Sequence, residues 1–177
     1  MSQEKVTTRI VKYPKGLEPD MVLPTDYCAY RLAIGHIGQK NLAVLGMNPS
    51  AAREEYSDAT VNRIIHIAQQ MHCDGWIMFN VYPERATDAK NLEPFNETLH
   101  RKNADAILST LRKNKIDEIW GAWGDLKHAT LKTAKEKLIP HLQENGIKIF
   151  YFSTLTKLEN PRHPLYLKVD IDDKNYL

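Results

Sequence analysis

Cysteine is scarce. Cys28 and Cys73 are the only two in 177 residues, too few for a disulfide framework and without the spacing of a zinc site. The seven histidines are dispersed, with no HxH or HxxxH pair, so no metal is expected. No apolar run approaches the roughly 18 residues of a membrane span, which excludes a membrane-embedded chain. Charge of either sign is nearly balanced, at +2 with a pI near 8.4, too small a basic excess to argue for nucleic acid by itself. The GxGxxG fingerprint, the Walker A loop and the GxSxG elbow are all absent, removing the usual marks of dinucleotide enzymes, P-loop NTPases and serine hydrolases. The opening MSQEKVTTRI lacks the basic-then-apolar plan of a secretory signal, and a reducing cytoplasm is the expected compartment. What remains is an ordinary globular composition, 42% hydrophobic and 26% charged, with eight Gly and nine Pro scattered along the chain.

Residues 1–26, punctuated by Pro14, Gly16, Pro19 and Pro24, read as an N-terminal arm, and 27–177 as a single α/β domain. Two β-prone runs, 27–34 and 41–46, flank GHIGQK and predict an antiparallel hairpin. NLAVLG is apolar on both faces, as a strand covered by helices must be. A helix capped by Ser57 or Asp58 follows, with Val61, Ile64, Ile65, Ala68 and Met71 on one stripe. Strands are then expected at 75–81, 117–123 and 147–153. They alternate with a helix capped by Asn96 and another over 126–144 that Pro140 should kink or end. Such alternation implies crossovers of one hand and a parallel sheet.

In such a sheet the ligand crevice lies beyond the carboxyl ends of the strands. Four segments are therefore expected to converge: Gly46-Met47-Asn48-Pro49-Ser50, Asn80-Val81-Tyr82-Pro83-Glu84-Arg85, Trp123-Gly124-Asp125 and Asn160 to Tyr166. Each alone has an ordinary explanation. Asn-Pro stops strands, Trp120 and Trp123 fit a core, Asp58 fits a helix cap, and Tyr56 or Tyr82 could stack on a planar base or simply cover a loop. His163 can donate a hydrogen bond to a developing anion. Arg53, Arg85 and Arg162 lie in loops near the crevice and are candidates for phosphate contacts.

GMNPSAA, the DATV helix start, FNVYPERAT, AWGD and PRHPLYL, in this order over about 30–167, resemble the proteins grouped as domain of unknown function 1643. More distantly the layout is similar to the uracil-DNA glycosylase superfamily, with its Asn- or Asp-containing loop after the first strand, Asn after the second and His-Pro loop after the last. The resemblance implies a three-layer αβα sandwich around a small, mostly parallel sheet. It also implies roles: Asn48 orients the attacking water, Asn80 reads the edge of a flipped base, and His163 stabilises the departing base. Met47 and Pro49 shape the pocket floor beside Ser50, and Tyr56 or Phe79 would stack on the base. The chain departs from the superfamily after His163-Pro164, where Leu165, Tyr166 and Leu167 replace a Ser and a DNA-wedging hydrophobe. Two cysteines are too few for the iron–sulfur cluster of some branches.

The expected function is hydrolysis of an N-glycosidic bond to a nucleobase in nucleic acid or a nucleotide, without a cofactor or an obligatory protein partner. A binding module that holds a base without cleaving it, and a hydrolase or transferase acting on another small molecule, are the alternatives.

Overall fold

The strands form where the sequence is apolar on both faces. In a computed structural model that describes residues 11–177, β4 (Gly75–Asn80) is buried at every position and β3 (Asn41–Gly46) at all but its first. The remaining strands are β1 (Met21–Leu23), β2 (Ala33–His36), β5 (Glu118–Gly121), β6 (Lys148–Phe152) and β7 (Lys174–Tyr176); the helices are α1 (Ala59–Gln70), α2 (Glu97–Lys113) and α3 (Ala129–Glu144). One seven-stranded sheet runs in the order β1-β2-β4-β3-β5-β6-β7. Its four central strands are parallel, and the outer pairings are antiparallel.

Alternation along β4 feeds two cores. Trp76 and Met78 pack with Val61, Ile64 and Ile65 of α1, whereas Ile77 and Phe79 pack with Ile107 and Leu111 of α2 and with Leu131 and Leu138 of α3. The fold is thus mixed α/β, one helix on one face of the sheet and two on the other. Each such buried side chain contributes about 1.5–3 kcal/mol. Local chemistry sets the helix starts, since Asp58 accepts from the Val61 N–H at 2.8 Å and Asn96 from the Leu99 N–H at 2.9 Å.

One expectation fails and another narrows. The predicted hairpin does not form, because β4 inserts between β2 and β3: Met78 pairs with Ile34 on one side and Val44 on the other. The connection is held instead by Asp74, which accepts from the Gln39 and Lys40 N–H groups at 3.0 and 2.7 Å. Pro140 does not end α3, which runs on to Glu144 with Leu138 and Leu142 on either side of the proline buried in the core; packing outweighs one missing hydrogen bond. Part of the arm is built in, since Met21–Leu23 pairs with Ala33–Gly35 and the Trp76 indole donates to Leu17 O at 3.0 Å. Residues 1–10 of the arm lie outside the described residues.

Candidate active site

The chain leaves β3 for α1 on one face and β5 for α3 on the other, so a crevice opens beyond the carboxyl ends of these neighbours. It has two compartments that share Met47 and His163 as their wall. The smaller, about 200 Å³, is completed by Arg31, Asn48, Ser50, Asp58, Thr60 and Thr87, with Met78 and Ala86 supplying apolar surface. The wider, about 390 Å³, is completed by Gly124, Asp125, Thr156, Arg162 and Tyr166. The segments after β3, β5 and β6 therefore meet, as the parallel sheet requires.

Asn48 is half-buried and held by its amide nitrogen, which donates to Ala86 O at 2.8 Å and Pro49 O at 3.2 Å. That fixes the amide plane and leaves the carbonyl oxygen as its acceptor. His163 caps the short 3-10 turn Pro164–Tyr166: its Nδ1 accepts from the Leu165 N–H at 3.3 Å, which puts the ring proton on Nε2. Burial lowers the His163 pKa, with Asp58 pulling weakly the other way, so the ring is a neutral donor at neutral pH. Gly124 sets the ring's place. Its φ is +68°, and a Cβ there would lie 3.1 Å from the Cβ of His163.

Asp125 latches the same loop by accepting from Thr156 Oγ1 at 2.6 Å and Asn160 Nδ2 at 3.0 Å, and these bonds hold its carboxyl below its ordinary pKa. Asn160 Oδ1 in turn accepts from the Trp123 indole at 3.1 Å and the Lys135 ammonium at 3.1 Å. Trp123 is thus a core residue rather than a stacking surface.

Asn80 is 1% exposed, and neither Nδ2 nor Oδ1 has a hydrogen-bond partner among the described residues. It pairs in register with Gly46, over which a Cβ would meet Met78 Cε at 2.6 Å and Asn80 Nδ2 at 3.1 Å. Met78 lines the small compartment, so the Asn80 amide sits one flexible side chain behind its wall. A buried amide with both ends unpaired is costly, and such groups call for an explanation.

Other candidates do not reach the crevice. Phe79 faces the α2 and α3 core because strand alternation turns it away from Met78 and Asn80. Tyr82 is buried against Phe95 and accepts the Asn96 N–H at 3.1 Å. Pro49 is buried, and Tyr56 packs on Arg53, whose guanidinium lies 5.5 Å from its ring. The expected aromatic floor is replaced by Met47, Met78 and Ala86. Arg53 and Arg85 clamp Tyr27 from 4.1 and 4.4 Å in a separate cleft that also holds Glu54 and Glu55, carboxylates that oppose a phosphate. Arg162 does line the wider compartment, but Nε is spent on Thr154 O at 2.9 Å and Nη2 on Leu155 O at 3.2 Å.

Arg31 is the residue that reading only the strand ends misses. It precedes β2, and because β2 runs antiparallel to β4 its start lies beside the carboxyl end of β4, where the Arg31 N–H donates to Pro83 O at 2.9 Å. A larger cavity, about 550 Å³, is the groove between α2 and α3, rimmed by the Glu97–Lys137 ion pair and lined by those two helices alone.

No helix among the described residues is long and apolar enough to cross a membrane. No curated protein and no solved structure matches the chain. A family model spans 30–165, from just before Arg31 through the His163 loop, and on that match the chain belongs to the family described as Protein of unknown function (DUF1643).

Proposed function

We propose that this chain is a uracil-DNA glycosylase-like hydrolase that breaks an N-glycosidic bond to a nucleobase in nucleic acid or a nucleotide. The observation that carries the reading is the pairing of Asn48 and His163 in one compartment, one offering a fixed amide acceptor and the other a neutral N–H donor. Asn48 Oδ1 accepts from a water, whose oxygen attacks the anomeric carbon. The C–N bond breaks, its electron pair leaves with the base, and His163 Nε2–H stabilises the charge that develops. The water's proton passes to solvent. A strong base is unnecessary when the sugar already carries positive charge, and Asp58 is poorly placed to be one. Its Oδ1 takes the Val61 N–H and its Oδ2 the Ala52 N–H, at 2.8 and 3.2 Å. Asn80 supports the reading because an amide offers donor and acceptor together, matching the N–H and carbonyl of a keto base once Met78 swings aside.

The same occupied carboxylate favours a second reading, in which the compartment holds a base without cleaving it. Purified protein incubated with oligonucleotides carrying uracil, deaminated, alkylated and bulky modified bases decides between them. Abasic sites formed with turnover are the expected result. Saturable binding without product establishes the binding module, and neither product nor binding rejects both.

A further inference from the structure

Arg31 is 1% exposed, yet it takes part in none of the ion pairs found among the described residues. Nη1 donates to Ala52 O at 2.8 Å, while Nε is buried without a partner among the described residues. A guanidinium removed from water normally has a carboxylate or phosphate against it, because desolvating an unpaired charge is expensive. Burial lowers its pKa to about 10, with Arg85 adding repulsion and Asp58 attraction, so it remains a cation at neutral pH. Among the described residues Asp58 is the only carboxylate lining the compartment, and both its oxygens are already engaged by backbone N–H groups of α1 and the loop before it. The hydroxyls of Ser50, Thr60 and Thr87, each able to donate, and the Nε2–H of His163 line the same space.

We propose that the small compartment is an oxyanion receptor centred on Arg31. The group it takes carries a negatively charged oxygen conjugated to a planar ring or attached to phosphorus: the oxygen of an acidic nucleobase, or that of a phosphate. Charge-assisted bonds from a guanidinium are about twice as strong as neutral ones, and a fork of donors suits a group with more than one acceptor. The inference rests on the cavity and its unpaired cation and not on hydrolysis. Were a base cleaved there, Arg31 would share the leaving charge with His163.

The test is calorimetric titration of the full chain with inorganic phosphate, with barbiturate as an acidic pyrimidine anion, and with neutral cytosine. Wild type, Arg31→Gln and Arg31→Lys are compared, each first checked for a cooperative thermal transition. At least one anion is expected to bind wild type saturably and in preference to cytosine. Arg31→Gln should weaken it about 10- to 100-fold, and Arg31→Lys less. Barbiturate without phosphate assigns the oxyanion to a base, phosphate without barbiturate to a backbone or free phosphate, and either supports the receptor. Should Arg31→Gln not fold, Arg31→Lys carries the comparison, with a measurable weakening still expected. Failure of both anions to bind wild type, or equal binding to wild type and the folded variants, overturns it. Anion binding without base release from any oligonucleotide would leave the receptor standing and remove the hydrolase.

Discussion

At the amino end of the parallel strands, Asp74 accepts two backbone N–H groups and Asn41 bonds Gly38 through both ends of its amide, at 2.8 and 3.0 Å. There too, Glu118 takes both the Lys174 ammonium and the Tyr176 hydroxyl. At the carboxyl end, Asn80 leaves both ends of its amide unpaired and Arg31 leaves Nε unpaired among the described residues. Both ends carry cavities, about 380 Å³ at the first and two smaller or similar compartments at the second, so space does not distinguish them. The difference lies in satisfaction. Where polar groups answer one another they hold the sheet in register; where buried groups are left waiting, a ligand is the natural partner.

Substitutions can break this contrast. The largest effect is expected from His163→Ala, which should lower base release on the order of 10²-fold or more, as loss of an oxyanion donor does, while leaving the fold intact. Its pH profile sharpens the point. Because burial lowers the pKa of His163 below the ordinary 6.5, release should stay flat as the pH falls to that value and decline only beneath it. Release that instead rises as the pH falls through 6.5 would mean that the neutral ring is not the working form.

Asn80→Leu comes next. It removes two unpaired buried polar ends at similar volume, so stability should hold or rise, while preference for keto over amino bases should fall by roughly 1–3 kcal/mol in a competition assay. A loss of stability with uniform loss across bases would make Asn80 a scaffold residue. Gly124→Ala, at φ +68° and against His163, should destabilise by about 1 kcal/mol or more and reduce activity in the same variant. Unchanged denaturation and activity would show that the glycine does not position the ring.

The smallest effect belongs to the satisfied end. Backbone N–H bonds from Lys40 and Gln39 depress the Asp74 pKa below its ordinary 3.8, so the stability it contributes is present above that value and lost as pH falls through the lower folded pKa. Asp74→Asn should flatten that acid limb of the unfolding curve and leave base release untouched. A change in release would erase the distinction between the ends.

Much of this was legible because it is local. The caps at Asp58 and Asn96, the fully apolar strands and the switch-point loops depend on residues near one another in sequence, and Asn48 and His163 follow from strand order. Pairings that the chain makes at a distance were not. β1 and β7 are edge strands of only three residues, too short to show an alternation, and the hairpin failed because β4 enters between its arms. The same antiparallel step that spoiled the hairpin carries Arg31 to the crevice from a stretch that reads as ordinary strand. Phe79 shows the converse limit, since one residue of alternation sends it to the opposite core from its neighbour Met78.

The most direct test is a titration of isotope-labelled protein with a single-stranded oligonucleotide containing uracil, followed by amide and side-chain NMR. Shifts concentrated at Asn48, Ser50, Asn80 and the His163 ring, with Gln39–Asn41 and Asp74 unmoved, are the predicted result. Shifts confined to the groove between α2 and α3 or to the amino end of the strands, or none at all, would contradict it.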